Sequence, residues 1–99
     1  MPIKYNVYLT RTAGQDIENI WNFIAADSRE KATEFILKIE NKVQTLEQFP
    51  QRSPVIPETG YLGIEYRHLI SGEYRIIFRI EVRAVYIMRI INSAQLLKL

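Results

Sequence analysis

Hydrophobic and polar residues follow two different periods in the first quarter of the chain. Residues 3–9 alternate between apolar and polar, with β-branched and aromatic residues at the odd positions, which predicts a β-strand. Thr10 then stands where the N-cap of a helix is expected. After it the apolar residues recur at the helical spacing i, i+3, i+4, i+7, namely Ile17, Ile20, Trp21 and Ile24. The pattern therefore predicts a strand followed directly by an amphipathic helix.

A second amphipathic helix follows a short break in the pattern. Ser28 is its candidate N-cap, and the helix must end before Pro50, which cannot continue it. The apolar stripe of this helix consists of Ala32, Phe35, Ile36, Ile39, Val43, Leu46 and Phe49. Two helices joined by a short turn, each with one apolar stripe, are expected to form a hairpin that packs on another layer.

Three runs rich in β-branched and aromatic residues supply that layer. They cover residues 62–70, 74–80 and 84–91, and their short connections predict an antiparallel meander. The predicted order is β-α-α-β-β-β. We therefore expect an α+β fold of two layers, with the N-terminal helical hairpin packed on an antiparallel sheet. A chain of 99 residues supports one core, so residues 1–99 are expected to form a single domain.

The loop between the first two runs determines which sheet face carries Arg67. A two-residue loop of Ser71-Gly72 places Arg67 on the face of Ile76, whereas a three-residue loop of residues 71–73 places it on the face of Arg75. A shift of one residue turns every side chain to the other face of a sheet. Hydrophobic burial favours the three-residue loop, because it keeps the charged side chain away from the helices.

The favoured register predicts a polar sheet face rich in arginine. It sets Glu65 opposite Arg79, and a loop of residues 81–83 sets Arg89 opposite Arg75. The arginines gathered on this face are Arg67, Arg75, Arg79 and Arg89. The register places no acid on this face beside Arg75 and Arg89, and adjacent like charges cost stability. The pair therefore needs either a carboxylate from another segment or a functional reason, and we favour the functional interpretation.

Composition narrows the class of protein. The hydrophobic share of 47% and the charged share of 24% are those of an ordinary globular domain, and the net charge of +2 does not by itself indicate nucleic-acid binding. The absence of cysteine excludes disulfides and thiol chemistry, and a single histidine makes a zinc site unexpected. We expect no metal and no cofactor. No apolar run is long enough to span a membrane, and the first residues are unlike a secretory signal, so a cytoplasmic protein is expected.

Four segments resemble the ParE/RelE superfamily of toxins from type II toxin–antitoxin systems, and together they cover nearly the whole chain. Two of them are the first helix, from Thr10 to Ile24, and the end of the second helix, Leu46–Pro50. The third is the hairpin of residues 66–78, with Tyr66-Arg67-His68-Leu69 followed by Gly72-Glu73-Tyr74-Arg75-Ile76-Ile77-Phe78. The fourth is the last strand, Val85–Ile90. The resemblance implies a small cytoplasmic toxin of a plasmid-stabilisation module. Such a toxin arrests growth and is neutralised by a cognate antitoxin in a hetero-oligomer.

The branches of this superfamily differ in their target. RelE-like members are ribosome-dependent mRNA endonucleases that use basic residues together with a Tyr or His after the last strand, but residues 90–99 contain no Tyr, His or Arg. Should the chain be a nuclease, the resemblance makes Arg75 a phosphate contact, and the other catalytic candidates are Arg67, His68 and Lys98.

The tail is closer to that of ParE-like members, which act on DNA gyrase without a nuclease site, although Asn92 and Gln95 stand where His and Arg are usual. The resemblance favours a gyrase inhibitor that is not an enzyme. A ribosome-dependent mRNA interferase with a degenerate active site is the alternative.

The same resemblance suggests two binding surfaces. The four arginines are expected to contact the target, with acidic residues of the antitoxin masking Arg75 and Arg89. The tail leucines Leu96, Leu97 and Leu99 lie close to the end of the sequence and are expected to contact the antitoxin. The alternative for the tail is that it folds back on the edge of the sheet.

Overall fold

The computed structural model describes residues 4–97, without the side chain of Tyr61, and contains a helical hairpin on one face of a four-stranded sheet. The strands are β1 (Asn6–Leu9), β2 (Arg67–Ser71), β3 (Tyr74–Glu81) and β4 (Ala84–Asn92), and the helices are α1 (Arg11–Ala25), α2 (Arg29–Thr45) and the single turn α3 (Thr59–Leu62). Between residues 4 and 97, no helix is long and apolar enough to cross a membrane. The predicted α+β class and the helical hairpin are confirmed.

The sheet is mixed, which corrects the prediction of an antiparallel one. Its strand order is β1-β4-β3-β2, and β1 pairs with β4 in the parallel direction, while β2, β3 and β4 form the expected antiparallel meander. Short loops force their strands to be antiparallel. The long connection between β1 and β4 imposes no such direction, so the meander rule could not be extended to β1.

Both predicted helix caps are present. Thr10 accepts a hydrogen bond from the amide of Ala13, and Ser28 accepts one from the amide of Lys31. The Thr10 hydroxyl also donates to the carbonyl of Ile87 at 2.6 Å. The same residue therefore ends β1, starts α1 and fastens both to β4.

The sheet is covered on both faces, but unequally. The larger cluster of buried residues joins the helices to one face and contains Ala13, Phe35, Ile39, Leu46, Ile76, Phe78, Val85, Ile87 and Ile90. A smaller cluster lies on the opposite face, here named the non-helical face, and contains Ile56, Tyr66, Ile77, Ile91 and Leu97. The connection before β2 and the tail after β4 therefore cover only part of the non-helical face.

The predicted strand over residues 62–70 is too long at its start. Thr59–Leu62 forms a helical turn, and a strand begins only at Arg67. The hydroxyl of Thr59 donates to the carbonyl of Tyr66 at 3.2 Å and accepts from the Tyr66 amide at 3.1 Å. These two bonds close the segment into a loop, which overrides the β-propensity of its apolar residues.

The favoured register of the first hairpin is wrong. A two-residue turn of Gly72-Glu73 pairs Ser71 with Tyr74, so Arg67 lies opposite Phe78 on the helical side. Gly72 has a φ of +60° at the first central position, where a two-residue turn of type II′ needs glycine. The twist of this tight turn, rather than the polarity of Arg67, sets the register.

The second hairpin also turns more tightly than predicted. Val82-Arg83 forms a two-residue turn between Glu81 and Ala84, and a bulge shifts the register between Ile77 and Phe78. As a result Arg89 lies opposite Ile77, not opposite Arg75 as expected.

Candidate functional site

The four predicted arginines do not form one polar face. Arg67 lies on the helical side of β2, and its guanidinium donates to the carbonyls of Gln51 at 3.1 Å and Ser53 at 2.6 Å. Glu65 pairs with Arg67 at 2.9 Å, not with Arg79. Arg67 can occupy this position because β2 is an edge strand, from which a long side chain reaches the connecting segment. Arg75 and Arg79 remain on the non-helical face, since they alternate with Ile76 and Phe78.

Arg75 is buried and held by an acid that the register argument missed. Its guanidinium forms a two-pronged pair with Glu58, and the two side chains are 6% and 2% exposed. The hydrogen bond from Arg75 is the main cause that lowers the pKa of Glu58 to about 2, against a burial effect that raises it. Glu58 lies 17 residues before Arg75, in the proline-containing connection, where no strand pattern could place it.

The same ion pair fixes the tail. Arg75 also donates to the carbonyl of Gln95, and Glu58 accepts from the amide of Leu97 at 2.9 Å. Leu97 is consequently buried in the smaller cluster, whereas Leu96 is 65% exposed. Up to Leu97 the chain therefore folds back on the sheet, as the alternative for the tail states, and antitoxin contact by the tail leucines stays a prediction. Leu99 lies outside the described residues.

Arg89 also has an acidic partner, contrary to expectation. Its Nε donates to Oδ2 of Asp16 at 2.7 Å, and its Nη2 donates to Oδ1 at 3.1 Å. This hydrogen bonding raises the pKa of Arg89. Asp16 Oδ2 accepts from the Ile90 amide as well, at 3.0 Å, so the pair fastens α1 to β4 beyond the end of β1. For both Arg75 and Arg89 the alternative of a carboxylate from another segment is therefore the correct one.

The remaining arginine of the non-helical face is the most accessible one. Arg79 pairs with Glu81, and its Cζ lies 4.7 Å from the centre of the Tyr86 ring. Tyr86 in turn stacks with Tyr8, with ring centres 5.5 Å apart and an interplanar angle of 24°. Tyr8, Tyr86 and Arg79 thus form a row across β1, β4 and β3, here named the tyrosine row.

The candidates for nuclease chemistry are not gathered into one site. His68 lies opposite Ile77 on the non-helical face, whereas Arg67 lies on the other. The Nδ1 atom of His68 is buried without a hydrogen-bond partner among residues 4–97. Burial lowers the pKa of His68, and the charge of Arg75 lowers it further, against the charge of Glu58, which raises it. Lys98 lies outside the described residues.

The carboxylates of the chain are likewise dispersed. Across residues 4–97, no three His, Asp or Glu side chains are close enough together to hold a metal ion. On the non-helical face, Glu58 pairs with Arg75 and Glu81 pairs with Arg79. The uncovered part of this face carries the partly exposed guanidinium of Arg79 beside two stacked phenol rings.

Comparison with known proteins assigns this arrangement to a class of toxins. Residues 7–97 match the family described as "ParE toxin of type II toxin-antitoxin system, parDE". Because the match spans most of the chain, the protein belongs to the ParE toxin family. No curated protein matches the sequence significantly.

A solved structure supports the fold independently. The chain is similar to one from the "Chromosomal ParDE TA system from P. aeruginosa", with a TM-score of 0.70 and 21% sequence identity. The similarity covers 90% of this chain and 96% of that one. This similarity shows a shared fold, and the family match over residues 7–97 confirms the predicted resemblance.

Proposed function

We propose that this chain is a cytoplasmic toxin that arrests growth by binding DNA gyrase and is neutralised by a cognate antitoxin in a toxin–antitoxin hetero-oligomer. Membership of the ParE toxin family supports the toxic role and the neutralisation by a cognate antitoxin. One observation favours binding over RNA cleavage: Arg75, the arginine that a nuclease would need at the phosphate, is held by Glu58 and the tail. A guanidinium used in this way is not presented to a scissile phosphate.

The contacts of the four arginines divide the proposed target-binding role among them. Arg79 has the most exposed side chain, and its single ion pair with Glu81 lies at the surface, so it is the main target contact. Arg67 and Arg89 are about one-fifth exposed and contribute from the margins. Arg75 acts by positioning the tail.

Of the tail leucines within the described residues, Leu96 is exposed and Leu97 is buried, so Leu96 is the one proposed to contact the antitoxin. Removing residues 95–99 would take away the Gln95 carbonyl and the buried Leu97, so the truncated toxin would lose stability as well as contacts. Leu96→Asp avoids this problem because the side chain is exposed. We expect Leu96→Asp to weaken antitoxin binding without lowering the melting temperature, and unchanged affinity would remove this contact.

The target is tested with purified protein and a supercoiling assay. We expect the wild type to inhibit gyrase, Arg79→Glu to lose inhibition, and Arg29→Glu, an exposed charge reversal on α2, to retain it. Induced expression should arrest growth, and co-expression of the antitoxin should restore it. Cuts at codon positions in mRNA on programmed ribosomes, with supercoiling unaffected, would contradict the proposal and assign the protein to the nuclease alternative.

A further inference from the structure

The tyrosine row is an aromatic surface that the fold leaves uncovered. The tail and the connection before β2 cover the half of the non-helical face around Arg75 and Ile77, whereas Tyr8 at the other end is 49% exposed. The register places Tyr8 opposite Tyr86 and Tyr86 opposite Arg79, so the three side chains lie side by side.

The row is open at one end. Arg79 lies over the Tyr86 ring, and Tyr8 stacks on that ring from the neighbouring strand. Tyr8 belongs to the edge strand, and among residues 4–97 no further ring or guanidinium stacks on it. A cross-strand aromatic pair stabilises a sheet, but a pair that serves only this purpose does not need half of one ring in water.

The polar groups around the row are those that accompany a nucleotide. Asn6 is exposed two residues before Tyr8 and therefore on the same face, and its amide can both donate and accept a hydrogen bond. Arg83 is exposed in the turn beside Ala84, which pairs with Asn6. Stacked aromatic rings beside arginine groups bind unpaired bases with little dependence on sequence, because every base has a π-face.

We propose that Tyr8, Tyr86 and Arg79 form a binding platform for an unpaired base of a single-stranded nucleic acid. The base extends the stack on Tyr8, and the guanidinium groups of Arg79 and Arg83 face the adjacent phosphates. The platform shares Arg79 with the proposed gyrase contact, but that contact does not include Tyr8 or Tyr86, so variants of the two tyrosines separate the two roles.

Glu81 makes the proposal specific. It pairs with Arg79 at the surface, so it competes with a phosphate for the guanidinium and repels that phosphate. Glu81→Gln should therefore raise the affinity, although it removes a charge that contributes to the folded structure. A platform that bound a basic partner would respond in the opposite direction.

The test measures binding of labelled ten-nucleotide oligothymidine and oligouridine, and of a duplex of equal length, by fluorescence anisotropy. We expect Tyr8→Ala and Tyr86→Ala each to raise the Kd for single strands by about tenfold. Tyr8→Phe should bind like the wild type. Phe23→Ala removes an even more exposed aromatic ring, 79% against 49% for Tyr8, from the helical layer and should change nothing. The preferred oligonucleotide then identifies DNA or RNA as the source of the base.

Several outcomes would overturn the platform. These are wild-type affinity in folded Tyr8→Ala and Tyr86→Ala, an equal loss in Phe23→Ala, duplex binding as tight as single-strand binding, or a lower affinity in Glu81→Gln. Circular dichroism confirms that each variant is folded. Failure of the platform would leave gyrase inhibition intact, and an inactive toxin that still binds oligonucleotides would separate the two functions in the other direction.

Discussion

Arg75 and Arg79 lie one above the other on the same face of β3, and each pairs with a glutamate, but their surroundings are opposite. The Arg75–Glu58 pair is almost fully buried and holds two backbone groups of the tail. The Arg79–Glu81 pair is 31% and 58% exposed, and within residues 4–97 its contact with another segment is the stacking of Arg79 on the Tyr86 ring. Burial makes each charge of the first pair dependent on the other, whereas water can replace either partner of the second.

This difference assigns the two pairs to different tasks. The half of the non-helical face around Arg75 is fixed by its ion pair and by the smaller apolar cluster, so it shapes the molecule. The half around Arg79 can exchange partners at little cost, so it is available to a ligand. Variants that separate the two halves test this division.

The largest expected effect is in Glu58→Gln. The substitution leaves Arg75 buried without its counter-charge, so we expect the free energy of unfolding to fall by about 3–5 kcal/mol. The matched variant Glu81→Gln should cost less than about 1 kcal/mol, because its pair is exposed. Urea unfolding measures both. Equal losses would show that the two pairs do not differ as their burial implies.

Acid should lower the free energy of unfolding through the buried Arg75–Glu58 pair. Because the folded state lowers the pKa of Glu58 from 4.5 to about 2, the stabilisation is fully present above pH 4.5 and is lost as the pH falls toward 2. We expect roughly 3 kcal/mol of the pH dependence in this range to come from Glu58. Glu58→Gln should remove that part, and Glu81→Gln should retain it. Parallel pH profiles for wild type and Glu58→Gln would contradict the assignment.

The two adjacent tail leucines should respond differently to truncation. Leu97→Ala removes a buried side chain, and we expect a loss of roughly 2–4 kcal/mol in thermal or urea unfolding. Leu96→Ala removes an exposed one and should change stability by less than about 0.5 kcal/mol. A small change in stability in Leu97→Ala would mean that the packing of Leu97 in the smaller cluster does not stabilise the fold.

The smallest expected effect is a gain, at the turn next to the tyrosine row. Val82 has a φ of +55°, which a β-branched residue adopts only with strain. Val82→Gly should therefore raise the free energy of unfolding by about 0.5–1 kcal/mol. Arg83→Gly, at the next position of the same turn, should not stabilise the protein. A loss in Val82→Gly would show that the valine side chain has contacts that compensate for its backbone.

Local patterns predicted the helices and the family well, because capping residues and apolar spacing act within a few residues of chain. Thr10 and Ser28 cap their helices as expected. The predicted register of the first hairpin was wrong, because the prediction assumed that an arginine avoids the helical side. Arg67 violates that assumption by reaching backbone carbonyls of the preceding connection.

The site was harder to predict than the fold because its acids come from elsewhere in the chain. Strand register can show which residues share a face, but not which loop residue lies over them. Glu58 belongs to the segment between α2 and β2, and Asp16 belongs to α1. The opposed surroundings of Arg75 and Arg79 are therefore a property of the tertiary structure.

The position of β4 has a consequence for biosynthesis. Of the four strands of this sheet, β4 is translated after the other three, yet it lies between β1 and β3. β1 and the helical hairpin must therefore wait on the ribosome until their partner strand has been translated, and such non-local pairing is slow. Before β4 is translated the chain lacks Tyr86 and Arg89, so neither the tyrosine row nor the Arg89–Asp16 pair can form.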